Sequence, residues 1–349
     1  KGQVEPPKPI KEHMGQKAWF LRDSNWSPDF PASAQKAAWF LEKEIGADFD
    51  GVIMVDLSLF RKILGATGPI TVLDYNEKIT SENFFLKTQA HVNDNFFPGS
   101  TAKKDFLSAA GQALFNRLAS KDLSYFKLAQ VISSSFDERH LMFFWENPQA
   151  EEVTLRQGWG GEVRSNVAME QCSNVAMCVN DYLMVVDANL GVNKVNYFVK
   201  RKIKKEVSFG QNELVSKVTI NYENTSPKDV NFGGVYKNYL RILTNPDWFL
   251  ENILVDGISL NFLKNIDQEE VGGKKSTGFL IEVPALGQKE VVVNYRRNIE
   301  NIGRQFIYNL LVQKQAGTEE DSLVIASDFG LSYNGNLLVD REFEIKLEK

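Results

Sequence analysis

The sequence predicts an α/β sandwich domain followed by an antiparallel β-sandwich domain. Its 349 residues exceed the roughly 250–300 residues at which single cores stop growing, so two domains are favoured. In the first half, helical periodicity alternates with short apolar runs, which indicates helices packed on a buried sheet. From about Lys194 the apolar residues recur at every second position, which predicts many short strands and a β-sandwich. The predicted domains are residues 1–190, with a loop excursion at 149–180, and residues 191–349.

Helices in the first half are predicted from capping residues and from apolar residues spaced three and four apart. Ser33 can cap a helix over 34–45, and Gly46 then ends that helix. Thr80 caps another helix, which continues to about His91. The same apolar spacing predicts helices over 57–64, 102–119 and 124–133.

Strands are predicted from short apolar runs in the first half and from alternation in the second. The run 52–55 is typical of a buried parallel strand, and 141–145 and 182–186 are predicted strands as well. Because apolar residues are interleaved in the basic run 201–205, its charges are predicted to form the solvated face of a strand. Further strands are predicted at 218–222, 239–243, 279–283, 291–295, 306–312, 323–326 and 343–347.

Composition narrows the function classes. The net charge of −5 and the pI near 5.5 provide no basic field, so nucleic-acid binding is set aside. Cys172 and Cys178 lie six residues apart. They are interpreted either as a small disulfide of an exported protein or as two unpaired thiols. His13, His91 and His140 are isolated in the sequence, so no zinc site is predicted, and each is interpreted as a surface or packing residue.

The block from Trp19 to Pro31 contains the strongest candidate site. Arg22 and Asp23 follow an apolar stretch at the start of a loop, where α/β proteins meet their ligands. A guanidinium there can bind phosphate through two parallel hydrogen bonds, and Asp23 with Asp29 could hold Mg²⁺. The alternative is structural: Arg22 pairs with Asp23 or Asp56, and Asp29 caps a turn.

Five motifs together resemble a known family. They are Arg22-Asp23, the apolar strand with its aspartate at 50–55, the turn at 64–72, and the segments 157–161 and 187–194. In these motifs the chain resembles bacterial envelope proteins of the domain-of-unknown-function family 4012. More distantly, its first third is similar to the LytR-CpsA-Psr phosphotransferases, which transfer glycopolymers from polyprenyl pyrophosphate to the cell wall.

The resemblance implies roles for further residues. Arg22, Asp23 and Lys103 would be catalytic, Asp23 and Asp29 would hold Mg²⁺, and Lys104 would join Arg22 in binding the ligand. Lys103 and Lys104 stand where the transferases carry an arginine series, and the alternative is that both are solvated residues of a first helical turn.

Trp159 is the remaining candidate for ligand binding. The glycines on either side of it let a flat ligand approach, so it could stack on a sugar. The alternative is a tryptophan that packs against the first domain while the glycines turn the chain.

Two functions are therefore expected. The first is a Mg²⁺-dependent phosphotransferase that uses a polyprenyl pyrophosphate. The second, which is favoured, is a non-catalytic binding or assembly module for a cell-wall glycopolymer, with a protein partner bound through the β-sandwich. The second is favoured because no Arg-x-Arg pair occurs between Val72 and Arg117, and lysine does not clamp two oxygens in one plane.

The resemblance also implies a location. Relatives carry a membrane anchor before the matching region, so the chain is expected to be a fragment of a membrane-anchored, extracytoplasmic envelope protein. The opening residues 1–9 are typical of a linker, and no membrane-length apolar run follows them. The anchor would then be missing, and part of the first domain's sheet could be missing with it.

Overall fold

Helices and large sheets occupy different parts of the chain. The computed structural model describes residues 3–93, 102–120, 122–165, 177–227, 233–299 and 305–348. These residues form a mixed α/β structure in which most helices precede residue 157 and two large sheets follow residue 176.

The helices begin close to the predicted caps, with one clear difference. The second helix starts at Phe30, because the Asp29 side chain accepts a hydrogen bond from the Ala32 amide and a proline fits the first turn. The prediction that Ser33 caps this helix was therefore wrong, although Gly46 ends it with a φ of 70° as expected. The helices are α1 (Lys8–Met14), α2 (Phe30–Ile45), α3 (Leu57–Thr67), α4 (Phe84–Asn93), α5 (Ala102–Leu118), α6 (Tyr125–Asp137), α7 (Pro148–Arg156) and α8 (Phe262–Asn265).

Two short antiparallel ribbons lie among these helices. The first joins β1 (Gly51–Val55) to β4 (Leu141–Trp145), and the second joins β2 (Ile70–Val72) to β3 (Glu77–Ile79). The prediction of a buried parallel strand at 52–55 was wrong, since β1 pairs antiparallel and Ile53 and Val55 are 59% and 60% exposed. A two-stranded ribbon covers only one face of the strand, so alternate apolar side chains stay outside.

Long, mostly antiparallel strands build the two large sheets. The strands of the second half are β5 (Met177–Asn189), β6 (Val199–Phe209), β7 (Glu213–Asn224), β8 (Tyr236–Thr244), β9 (Phe249–Val255), β10 (Ile258–Ser259), β11 (Asp267–Val271), β12 (Lys274–Val283), β13 (Gln288–Asn298), β14 (Gln305–Gln313), β15 (Ser322–Ser327), β16 (Ser332–Asn336) and β17 (Arg341–Glu348). One sheet has the order β10-β9-β13-β7-β6-β15-β16, and the other β11-β12-β8-β5-β14-β17. The pairs β5–β14 and β6–β15 are parallel.

Strand β5 ties the middle of the sequence into the six-stranded sheet. It pairs with β8 on one side and β14 on the other, although it lies before the expected boundary at residue 190. The segment preceding the large sheets and the sheets themselves are therefore connected through a strand in the sheet interior.

The buried apolar residues form separate clusters. The largest contains side chains from both large sheets, such as Leu183 and Leu240 from one and Val218 and Val293 from the other. A second lies among α3, α5, α6 and the short ribbons, with Phe106 and Ala110 fully buried. Each cluster removes apolar surface from water and so stabilises its own part of the chain.

The basic run on β6 faces inward at two positions, contrary to the prediction of a solvated face. Arg201 donates to both oxygens of Asp321 (3.1 and 2.6 Å) and pairs with Asp187 (3.0 Å). Lys205 is 1% exposed and lies 2.9 Å from the Asp181 carboxylate. Because alternate residues share a face, Arg201 and Lys205 follow Ile203 into the interior, where buried carboxylates compensate their charge.

A buried polar cluster joins the helical part to the six-stranded sheet. We call it the junction network: Arg139, Lys314 and Asp340. Arg139 donates through Nε and Nη2 to the two Asp340 oxygens (3.2 and 2.8 Å), and the Lys314 amide donates to Asp340 (2.9 Å). Lys314 Nζ donates to the carbonyls of Glu138 (2.8 Å) and Thr318 (2.6 Å). Burial lowers the pKa of Lys314 to about 8.

The inward orientation of the β6 cations can be tested through stability. Lys205→Met removes the ion pair that Lys205 makes with the buried Asp181 carboxylate, so the free energy of unfolding should fall by about 3–5 kcal/mol. Lys202→Met, on the exposed face of the same strand, should change it by less than about 0.5 kcal/mol. Both values come from chemical denaturation, and equal small effects would contradict the inward placement of Lys205.

Candidate functional site

Arg22 lies in the predicted loop but is bonded to its sequence neighbours. It belongs to a single 3₁₀ turn, Leu21–Asp23, and its side chain is 68% exposed. Its Nε donates to Asp23 at 3.2 Å, and its guanidinium lies 5.1 Å from the Phe20 ring centroid. The structure thus brings Arg22 and Asp23 together as an ion pair, which is one of the two arrangements left open by the sequence.

Asp29 has both carboxylate oxygens engaged by the protein backbone. One oxygen accepts from the Ala32 amide at the start of α2, and the other accepts from the Val163 amide at 2.8 Å. The second bond joins positions 134 residues apart in sequence. Asp29 therefore caps a helix and anchors the segment that follows α7, and each of its carboxylate oxygens already accepts one hydrogen bond from the protein backbone.

The remaining candidates are placed elsewhere. The backbones of Lys103 and Lys104 lie in the first turn of α5, and their side chains lie outside the described residues. Trp159 stacks on Phe136 with centroids 4.7 Å apart and packs against the core of the helical part. The Trp159 ring is thus held by the protein in the manner of the packing alternative.

Cys178 is disulfide-bonded. The other cysteine of the sequence, Cys172, lies outside the described residues. Disulfides persist in oxidising compartments, so this bond bears on where the protein resides.

His140, which was interpreted from the sequence as a surface or packing residue, is at the centre of a polar cluster. His140 is buried, its Nδ1 lies 2.6 Å from Asp56, and its Nε2 lies 3.5 Å from Glu138, which Lys62 pairs at 2.5 Å. Asp56 also accepts from the Leu59 amide and so caps α3. The cluster connects the start of α3 to β4, and its burial separates the imidazole from any substrate in solvent. The sequence feature that could have indicated this cluster is Asp56, which follows a strand at the start of a helix.

An open cleft of about 410 Å³ lies beside α2 and the end of the β1–β4 ribbon. Two aromatic residues and three carboxylates converge on it: Trp39, Phe49, Glu42, Asp48 and Glu146, with Gln35 and Ala38 completing the lining. Glu42 pairs with Lys43 at 2.6 Å. Within the described ranges, no hydrogen bond or ion pair engages the Asp48 or Glu146 carboxylates. The cleft has the size of a small-molecule site and carries three carboxylates beside an aromatic wall, and the Lys36 ammonium group lies 5.2 Å from the Trp39 ring centroid.

Two general features concern metals and membranes. Among the residues that the structure describes, no group of three or more His, Cys, Asp or Glu side chains is arranged to hold a metal ion. In the same part of the chain, no helix is both long enough and apolar enough to cross a bilayer.

The anchoring role of Asp29 predicts unequal effects of the two aspartates. Asp29→Ala should lower the free energy of unfolding by about 2–4 kcal/mol, because a helix cap and a charged hydrogen bond are both lost. Asp23→Ala, which loses only its pairing with an exposed arginine, should cost less than about 1 kcal/mol. Denaturation with and without Mg²⁺ measures both. Stabilisation of the wild type by Mg²⁺ that disappears in either variant would instead indicate a metal site.

Comparison with known proteins supports the family expected from the motifs. Among solved structures, the chain is similar to an M1 zinc metallopeptidase from Deinococcus radiodurans, at 9% identity over 33% of this chain and 32% of that chain, with a TM-score of 0.18. It is also similar to leukotriene A4 hydrolase from Saccharomyces cerevisiae, at 6% identity over 44% and 30% of the two chains, with a TM-score of 0.23. The chain spans about a third of the length of these structures, and similarity at this level carries no argument about fold or function. No curated protein matches. Residues 2–92 of the 349 match the family described as "Protein of unknown function (DUF4012)", which supports that family for this part of the chain.

Proposed function

We propose that this chain is a non-catalytic binding or assembly module of an extracytoplasmic cell-envelope protein. The observation that carries the proposal is that the residues expected to be catalytic are hydrogen-bonded or ion-paired to other groups of the protein. Arg22 pairs with Asp23, and both oxygens of Asp29 accept backbone hydrogen bonds. Phosphoryl transfer depends on charged groups that are free to position and neutralise phosphate oxygens, and these residues offer a single exposed arginine already paired with a carboxylate.

The open cleft beside Trp39 is the proposed ligand site. Its three carboxylates would repel a pyrophosphate, but they accept hydrogen bonds from hydroxyl groups and pair with ammonium groups. An aromatic wall binds the apolar face of a sugar or a cation. A glycan that carries free amino groups therefore fits the cleft better than a prenyl pyrophosphate does.

The β-rich half is proposed to be a β-sandwich that serves assembly. Its support is the apolar cluster shared by the six-stranded and seven-stranded sheets, which is what two sheets packed face to face would produce. At one end of the seven-stranded sheet, Ile258, Phe262 and Leu263 are exposed, Leu263 almost completely. Exposed apolar groups of this kind favour contact with a protein partner.

An extracytoplasmic location is proposed for two reasons. The disulfide at Cys178 is a bond that oxidising compartments preserve. The family match at residues 2–92 agrees with the resemblance to envelope proteins. By that resemblance, the first half would descend from a glycopolymer-transferase-like fold that no longer carries the transferase chemistry.

Isothermal titration with two probes tests the proposed function. Soluble glucosamine oligosaccharides should bind the wild type, and Trp39→Ala should weaken binding by about 1–2 kcal/mol because the cation–aromatic contact is lost. Phe126→Ala, which removes an exposed aromatic ring from α6, is the matched control and should leave binding unchanged.

The second probe is a short-chain prenyl pyrophosphate with Mg²⁺. Neither binding nor glycopolymer transfer is expected from it, and Arg22→Ala should change nothing. Binding or transfer that Arg22→Ala abolishes would replace the proposed function with the phosphotransferase. Glucosamine binding that Trp39→Ala leaves intact would remove the cleft from the proposal.

A further inference from the structure

Arg241 differs from the other buried arginines that the structure describes. Arg139 pairs with Asp340, and Arg201 pairs with Asp187 and Asp321. Arg241 is 3% exposed, and none of the described carboxylates lies within ion-pair distance of it. A buried guanidinium without an anion is costly, so its surroundings call for an explanation.

The loop 24–28 covers this arginine. Arg241 Nη2 donates to the Trp26 carbonyl at 2.9 Å, and the Trp26 ring centroid lies 4.5 Å from the guanidinium carbon. The buried Nε and Nη1 atoms have no hydrogen-bond acceptor. Burial lowers the pKa of Arg241 to about 10, although the more distant Glu269 carboxylate acts in the opposite direction.

Arg241 belongs to a row of polar side chains on one face of β8. Lys237 and Tyr239 precede it at alternate positions, so all three project from the same face of the six-stranded sheet. Lys237 donates to the carbonyl of His13 at 3.0 Å, while Tyr239 donates to Asp267, which Lys8 also pairs. Both cations of the row thus bond to neutral carbonyls of the N-terminal segment.

Neutral carbonyls are weaker partners for a guanidinium than an oxyanion is. Nε and Nη2 form the edge of arginine that binds carboxylate or phosphate through two parallel hydrogen bonds. The Trp26 carbonyl occupies one donor of that edge and leaves the other without an acceptor. An oxyanion would supply acceptors for both donors and would also compensate the charge.

We propose that Arg241 is a masked oxyanion-binding site and that Trp26 is its displaceable cover. The ligand class is a carboxylate or phosphate group, which binds the Nε–Nη2 edge of Arg241 once Trp26 moves aside. Trp26 is partly exposed and lies outside the apolar clusters, whereas Ser24 in the same loop is buried, so the proposed displacement concerns Trp26 itself. This site is separate from the cleft beside Trp39 and does not depend on the proposed glycan binding.

Thermal unfolding of the full chain in inorganic phosphate or acetate, against chloride at equal ionic strength, tests the proposal. One of the two anions should raise the unfolding temperature saturably, and the comparison identifies a phosphate or a carboxylate as the ligand group. In Trp26→Ala the half-saturating concentration should fall by about tenfold, because the ring no longer covers the guanidinium, while the backbone carbonyl of residue 26 remains. Should Trp26→Ala fail to fold, Trp26→Phe, with a smaller cover, should show a smaller change in the same direction.

Arg241→Met is the decisive variant. It loses one hydrogen bond to a neutral carbonyl and the cation–aromatic contact with Trp26, but it also removes a buried charge that has no ion pair, so it should fold, and the anion effect should be absent. Arg296→Met, which removes an exposed arginine from the other sheet, should behave as the wild type does. An anion effect that survives in Arg241→Met, or no anion effect in either the wild type or the Trp26 variant, would overturn the proposal.

Discussion

The attachment of the helical part to the six-stranded sheet depends on the paired charges of Arg139 and Asp340. Arg139 has a φ of 59°, in the turn between α6 and β4, and its guanidinium reaches both oxygens of Asp340 just before β17. Lys314 joins the same carboxylate through its amide and bonds the Glu138 carbonyl through its ammonium group. The loss of one partner of a buried ion pair strongly destabilises the folded protein, so the pair fixes which surfaces can face each other.

The candidate site around Arg22 and Asp29 is part of this attachment. The segment 162–164 crosses from the helical part to the sheet, where the Gln313 side chain donates to the Glu162 carbonyl and accepts from the Arg164 amide. Asp29 secures the same segment through Val163. Asp29, which was expected to hold Mg²⁺, thus belongs to the contact between the helical part and the six-stranded sheet, and the loop around it connects the two.

Sequence patterns predicted elements well where a single local signal decides. Gly46 ended a helix in the left-handed conformation, and 141–145 formed a strand with the predicted bounds. The same patterns failed where distant partners decide. The alternation of apolar residues indicates which residues of β6 share a face. Whether Arg201 and Lys205 point inward, however, depends on Asp321 and Asp181, which are far away in sequence.

The candidate site shows the same division. The structural alternative for Arg22 followed from local chemistry, since a neighbouring carboxylate was visible in the sequence, whereas Asp29 was expected to cap a turn and caps α2 instead. The pairing of His140 with Asp56 and the covering of Arg241 by Trp26 join positions 84 and 215 residues apart, so no local pattern could indicate them.

Equilibrium unfolding of Asp340→Ala by two probes tests the central claim most directly. Five of the six tryptophans lie at or before Trp159, so fluorescence reports mainly on the helical part, while far-ultraviolet circular dichroism is dominated by the sheets. In the wild type both probes should give one transition. In Asp340→Ala the fluorescence transition should move to lower denaturant than the sheet transition, whereas Glu342→Ala, which removes an exposed partner of Arg164, should keep them together. Coincident transitions in Asp340→Ala, at the wild-type midpoint, would contradict the account.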